Sequence, residues 1–353
     1  MVAFPNRMID YKLIKLTDSQ FQQTLHNNYE EWGSPELTID QYIQRETALI
    51  KTPFSRKTFV SVGLIEATDL EMNLLTHCEM YQFDCCLSTH GDLKKGVCYA
   101  IASVYTPKAH RKKGYAKIMM EMIKIMVAED PKCLASTLYS DIGPVYYHQV
   151  GWTLHKSESL FLSVSDEFHF PQQAEFEDLF IQARQLDSIF LEDKKSVIDT
   201  IRRNSIGIQF ASFPSNDSVE WFFVRGVFYA KAFNKLTPER CGVAMKSDSN
   251  STRRPFVVWM HDFNESYLMV LKIRFETPQD ALFLLKACSD EARRFGLSKV
   301  HIWSPCHVLK RLADEFDAIS IVQRESSLSS LFLLNSNLES SVEWLNNEKF
   351  AWV

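Results

Sequence analysis

No stretch of this sequence approaches the roughly 18 uninterrupted apolar residues that a membrane span needs, so none is expected. The N-terminal segment has no basic stretch followed by a long apolar run, which leads us to expect no secretion signal. There is no excess of positive charge. The 39 Lys and Arg against 44 Asp and Glu leave a net −5, which argues against non-specific nucleic-acid binding by the whole chain. None of the eight cysteines (Cys78, Cys85, Cys86, Cys98, Cys133, Cys241, Cys288, Cys306) forms a C-x-x-C pair. Several lie in apolar runs, so we expect reduced, buried thiols and a cytosolic or nuclear setting. His77-Cys78 and Cys306-His307 lack the spacing to close a tetrahedral zinc site, and no metal is expected.

What is present is an ordinary globular composition, 46% hydrophobic and 24% charged, in a chain of 353 residues. That length exceeds what one core comfortably fills, so two domains are expected. Periodicity predicts an α/β (α+β) chain. A strand over 11–16 precedes helices near 19–29 and 38–50, the second opening on a Thr38/Gln41 capping box. Strands follow over 59–67, 80–87 and 97–105, then a helix over 115–128, a strand over 134–139 and a short helix ending at Gly151-Trp152. The polar, Pro171-interrupted stretch 163–175 predicts a boundary, giving domains over 1–165 and 175–353. In the second half, helices are expected over 175–186, 194–203 and 278–295. Strands are expected over 208–213, 220–230, 256–261, 267–275 and 299–303, with one more within 325–341. The strand–helix–strand of 267–303 parallels that of 97–139 without its glycine, so the second half is expected to be a degenerate repeat.

The chemistry points to Val104-Tyr105-Thr106-Pro107-Lys108-Ala109-His110-Arg111-Lys112-Lys113-Gly114-Tyr115-Ala116. A buried strand stops, and a basic loop with one glycine runs straight into a long amphipathic helix. The first turn of that helix carries N–H groups without intrahelical partners and the positive end of the dipole, an arrangement suited to a diphosphate. Gly114 removes a Cβ that would hold phosphates off the amides, Ala116 keeps the helix start slim, and Arg111, Lys112 and Lys113 add charge at the rim. A solvated basic loop before an ordinary helix has the same local signature. Downstream, Tyr146-Tyr147-His148-Gln149-Val150-Gly151-Trp152 closes a strand–break–short helix segment.

Together, R-x-x-G-x-A and Tyr-Tyr-x-x-x-Gly-Trp resemble the diphosphate loop and the later Phe-Tyr-x-x-x-Gly-Phe segment of the GCN5-related N-acetyltransferase superfamily, across residues 10–165. The layout and the phrase LYSDIGPVYYHQVGW also resemble the fungal lysine N6-acetyltransferases of lysine catabolism. The resemblance implies a mixed central sheet flanked by helices, and acetyl-CoA as cosubstrate. Val104, Tyr105 and Thr106 would hold the pantetheine arm, and Arg111 to Ala116, with Lys112, Lys113, Gly114 and Tyr115, the diphosphate. It implies Tyr147 as general acid for the departing thiolate. A lysine-type amine needs help to lose its proton, costing about 4–5 kcal/mol at pH 7. Glu66, Glu79, Asp84 and Asp141 lie near strand ends, and Glu79 or Asp141 is the expected base; a pocket that desolvates the ammonium would also serve. The expected partner is a small-molecule amine, with free L-lysine first. A polyamine, a protein amine, and a non-catalytic acyl-CoA-binding scaffold remain alternatives. Homo-oligomerisation is left open.

Overall fold

The computed structural model describes residues 10–164, 175–182, 184–204, 207–246, 254–334 and 342–353. The first half runs β1 (Tyr11–Lys15), α1 (Asp18–Trp32), α2 (Ile39–Ile50), α3 (Pro53–Thr58), β2 (Val60–Glu66), β3 (Thr76–Thr89) and β4 (Asp92–Tyr105). It continues with α4 (Tyr115–Ala128), β5 (Cys133–Ser140), α5 (Val145–Gln149), β6 (Thr153–Leu154) and β7 (Glu158–Ser163). The second half runs β8 (Phe176–Phe180), α6 (Leu186–Arg203), β9 (Ile208–Ser212), α7 (Asn216–Ala232), β10 (Arg240–Met245), β11 (Phe256–Asp262) and β12 (Tyr267–Arg274). It closes with α8 (Pro278–Arg294), β13 (Lys299–Trp303), α9 (His307–Glu315), β14 (Ile319–Gln323), β15 (Leu328–Leu333) and β16 (Val342–Leu345). Among the described residues no helix is long and apolar enough to cross a membrane.

Two mixed sheets result. The first has the order β1-β2-β3-β4-β5-β15-β6, with β9 paired to the far half of β3 and β16 to β9. The second has the order β14-β7-β13-β12-β11-β10-β8. Each centres on an antiparallel trio whose last strand pairs in parallel with the strand after the long helix, β4 with β5 and β12 with β13. The second half therefore repeats the architecture of the first, as its sequence suggested.

The two halves exchange a strand. β7 leaves the first half and pairs with β13 and β14, burying Leu160 and Leu162 in the second core. β15 returns between β5 and β6 and places Leu331 and Leu333 in the core between the sheets. Each fully buried leucine contributes on the order of 1.5–3 kcal/mol, so neither half is complete without the other. The expected boundary at 163–175 falls largely on 165–174, outside the described residues, and strands from either side of it cross to the opposite sheet.

The helix over 115–128 has the expected bounds, and Met119, Met120, Ile123 and Val127 pack beneath the first sheet against Val62, Leu64, Met80, Ile101 and Trp152. Two expectations fail. Residues 175–186 hold strand β8, which pairs with β10, rather than a helix. Residues 220–230 belong to helix α7 rather than a strand. Their aromatic, β-favouring composition misleads. The deciding pattern is the burial of Val219, Phe222, Phe223, Gly226, Tyr229 and Ala230 on one helical stripe, behind a Ser215/Ser218 capping box.

Candidate active site

The sheet opens just before the basic loop over 106–114. Pairing between β4 and β5 runs from Val97↔Cys133 to Ile101↔Leu138 and stops, so residues 102–105 lack a neighbour on that edge. On the other edge, β4 carries one residue more than β3 between the His77↔Tyr105 and Glu79↔Ala102 pairs, a bulge that includes Ser103 at φ 50°. A bulge bends its strand and re-aims its side chains. The Thr76 hydroxyl ties the strand end by donating to the Tyr105 carbonyl at 2.8 Å. An extended chain carrying amides can pair with the free β4 edge as another strand would.

At the end of that edge, α4 begins on Gly114 at φ 85°, with no side chain capping its first turn. A Cβ built on Gly114 would meet nothing within 4 Å. The glycine is required by its left-handed backbone rather than by crowding from the protein itself. The orphan N–H groups and dipole of the first turn thus face open space. Lys112 and Lys113 are exposed around it. Arg111 faces elsewhere: Nε donates to the Thr106 carbonyl at 3.0 Å, Nη2 pairs with Glu31 at 2.9 Å, and the guanidinium lies 5.5 Å from the Tyr105 ring centre. With the Lys108–Glu30 pair, it fastens the loop to α1. The Tyr115 ring packs edge-on to Tyr11 at 5.8 Å and to His110 of the loop at 6.0 Å.

The corresponding place in the second half is closed. Helix α8 is capped by Thr277 and Asp280. The Glu348 carboxylate takes the Ile273 N–H at 3.1 Å and Lys272 Nζ at 2.7 Å on β12. Among the described residues only the first half keeps the equivalent edge and helix end free.

Across the bulge, Glu79 is buried and accepts a hydrogen bond from Ser103 at 3.2 Å. Burial, reinforced by the nearby Glu46 carboxylate, pushes its pKa up to about 8. Glu46 is held by Arg45, whose Nε donates to Oε1 at 2.7 Å and whose Nη1 donates to the Tyr229 hydroxyl at 2.5 Å. Tyr42 and Tyr81 lie within reach of the Glu79 and Glu46 charges, and burial, reinforced by those charges, raises both phenols. His77 is buried beside Tyr105 with Nε2 unpartnered; burial lowers its pKa to about 4, so it is neutral at pH 7. Sequence reading missed Arg45, Glu46 and Ser103. The only trace of the pair was that α2 carries charge in its middle, which no local rule singles out.

The remaining candidates separate by environment. Asp141 accepts from the Ser327 N–H at 2.7 Å, at the exposed turn before β15, and so holds the returning strand. Asp84 pairs with Lys194 at 2.7 Å, and Glu66 is exposed at the end of β2. Tyr147 is buried in α5 among the residues beneath the first sheet. Burial raises its phenol, with Tyr146, Cys78 and Asp141 adding to the effect. With its pKa raised, the phenol is protonated at neutral pH, and its hydroxyl has no partner among the described residues. Trp152 anchors this segment, its indole N–H donating to Ser136 at 3.2 Å. Among the described residues no group of three His, Cys, Asp or Glu is arranged to hold a metal, and Cys306 alone of the eight thiols is exposed.

A family model described as the LYC1 GNAT-like C-terminal domain matches residues 168–353. The chain is 22% identical over 401 aligned positions to a Yarrowia lipolytica protein named lysine acetyltransferase, covering 94% of this chain and 97% of that one. It is 24% identical over 297 positions to the Saccharomyces cerevisiae uncharacterized protein YGR111W, covering 75% and 72%. Among solved structures, a GCN5-related N-acetyltransferase from Kribbella flavida aligns with TM-score 0.55 at 14% identity, over 94% of this chain and 73% of that one. A probable N-acyltransferase from Enterococcus faecalis aligns with TM-score 0.57 at 11% identity, over 92% and 72%.

Proposed function

The chain belongs to the LYC1 GNAT-like family of the GCN5-related N-acetyltransferases, and from that premise we propose that it acetylates the ε-amino group of free L-lysine with acetyl-CoA. The observation that carries the reading is the unpaired β4 edge leading into the uncapped, glycine-started turn of α4. The residues fit the coenzyme. The backbone of Val104, Tyr105 and Thr106 would hold the pantetheine arm, and the amides from Lys112 to Ala116 the diphosphate, with Lys112 and Lys113 beside them. Bound there, acetyl-CoA supplies a thioester carbonyl open to attack and a thiolate leaving group.

The chain's own groups then manage two protons. Glu79, when ionised, takes a proton from the acceptor's ammonium, and the amine nitrogen becomes a nucleophile. A carboxyl near 8 is a stronger base than an ordinary one near 4.3, which narrows the gap to an amine near 10.4. Tyr147, kept protonated by burial, donates to the leaving thiolate and is restored by the second proton that the nitrogen sheds as the amide forms. Free lysine leads among acceptors because the Yarrowia lipolytica relative, aligned over nearly its whole length, bears the name lysine acetyltransferase. The buried thiols suit a reducing compartment, cytosolic or nuclear.

Turnover of free lysine against a panel of polyamines and peptides tests the acceptor, and free lysine is expected to be used fastest. Inactivity on every free amino acid ends the lysine assignment. Tyr147→Phe is expected to cut kcat on the order of 10²–10³-fold while acetyl-CoA binds unchanged.

A further inference from the structure

Between the two sheets lies a buried cluster that the acetyl transfer itself does not use. Arg324 sits where the chain passes from β14 to β15, its N–H donating to the Ser157 carbonyl at 2.8 Å. It is 9% exposed, and its guanidinium lies 3.6 Å from the centre of the Trp303 ring. Nη2 donates to the Ser329 hydroxyl at 3.0 Å, whereas Nε and Nη1 are buried without a partner. Lys349 is 8% exposed, its Nζ 4.2 Å from the Trp303 ring centre and 3.5 Å from that of Trp352. No carboxylate pairs with either cation among the described residues. The adjacent Glu348 turns away to Lys272 and Arg274. The indole N–H groups of Trp303 and Trp344 and the Tyr139 hydroxyl, rings in mutual contact at 5.5 and 6.2 Å, also lack acceptors.

Burying cations without counter-charge is costly, and indole faces offset only part of it. Burial holds the Arg324 guanidinium down to about 10 against the pull of Tyr139 and Asp141, and burial together with the Arg225 and Arg324 charges pulls Lys349 well below the usual ammonium range, against Asp262 and Asp141. The unpartnered groups around them are almost all donors. A small, acceptor-only anion with two oxygens satisfies such a set, and a carboxylate is that anion.

Its position adds direction. Tyr139 follows Leu138, the last β5 residue paired to β4, so the cluster borders the rim of the opening. From Glu79 an aromatic path runs through Tyr81, on the same face of β3, to Trp221 at 6.4 Å, then Trp352 at 6.3 Å, and so to Lys349. One end of this path is acidic, the other cationic, and aromatic rings lie between. We propose that Arg324 and Lys349 form the clamp for the acceptor's carboxylate, setting specificity for an amino acid whose distal amine reaches Glu79. This rests on the amine acetylation proposed above and adds the residues that select its substrate class.

The test compares wild type, Lys349→Met and Arg324→Gln on three amines: L-lysine, 6-aminohexanoate, which keeps the carboxylate, and 1,5-diaminopentane, which lacks it. Wild type is expected to prefer the two carboxylates. Each variant is expected to raise KM for them by about 100-fold while leaving diaminopentane turnover and acetyl-CoA affinity unchanged. Because each variant removes an unpaired buried cation, its thermal midpoint is expected to hold or rise, which a purely structural role would reverse. Equal losses on all three amines, or lysine kinetics unmoved in both variants, overturn the clamp while leaving the acetyltransferase standing. Should wild type acetylate no amine, the functional reading fails separately. Calorimetry with 6-aminohexanoate then judges the clamp alone: heat in wild type that Lys349→Met abolishes supports it, and no heat in wild type overturns it.

Discussion

Replacing Glu79 by Gln tests the chemistry most directly, because the structure dictates the shape of the pH profile as well as the loss. Burial and the Glu46 charge push the Glu79 carboxyl up to about 8. Its raised pKa means that the useful, ionised form is gained as pH rises: about a tenth is ionised at pH 7 and about nine-tenths at pH 9. The base takes its proton from an ammonium, so kcat/KM for lysine is expected to rise with unit slope to about pH 8. It should then level and fall as the substrate amine deprotonates near 10.4. Glu79→Gln removes the base, and kcat/KM at pH 8 is expected to drop by about 10³-fold. The variant depends on the small population of neutral amine, so its profile should climb without a break at 8, toward about 10.4. Glu46→Gln keeps the base and deletes the charge that raises it, so the lower limb should move to more acidic pH. Asp141→Asn, at a carboxylate engaged by Ser327, should leave the limb in place. Steady-state kinetics over pH 6–11 reads all three. A Gln variant that keeps its inflection near 8, or loses less than tenfold, refutes Glu79 as the base.

Gly114→Glu should abolish the calorimetric heat of acetyl-CoA binding, since it forces a side chain into a left-handed backbone, at roughly 1–2 kcal/mol, and sets a negative charge where phosphates bind. Undiminished heat would remove the coenzyme from this loop. A fragment ending at residue 165 should fail to give a cooperative melt, because β5 and β6 lose β15 and the apolar face of β7 loses its sheet. Circular dichroism showing a sharp transition in that fragment would contradict the strand exchange.

Much of the site's local frame was legible in the chain. Helix α4, its glycine start and the register from Tyr147 to Gly151 depend on spacing and on backbone groups within one or two turns, and such features are written where they act. The halves' shared order was visible for the same reason, since β4–α4–β5 and β12–α8–β13 each announce themselves by period. Helix α7 misled because its composition favours strands while its burial obeys a helical stripe that only the packed cores reveal.

The choice between Glu79 and Asp141 was beyond sequence reading. Both are carboxylates near strand ends; what separates them is that one is desolvated beside Glu46 and the other is taken by Ser327, almost two hundred positions away. Sequence alone determined where an uncapped, glycine-started helix turn presents its backbone amides, because that turn is made by consecutive residues. Tertiary structure alone decided which carboxyl is desolvated, that each half lends the other a strand, and that Arg324 and Lys349 meet over one tryptophan. Desolvation, strand pairing and charge proximity depend on distance in space, and no local pattern encodes them.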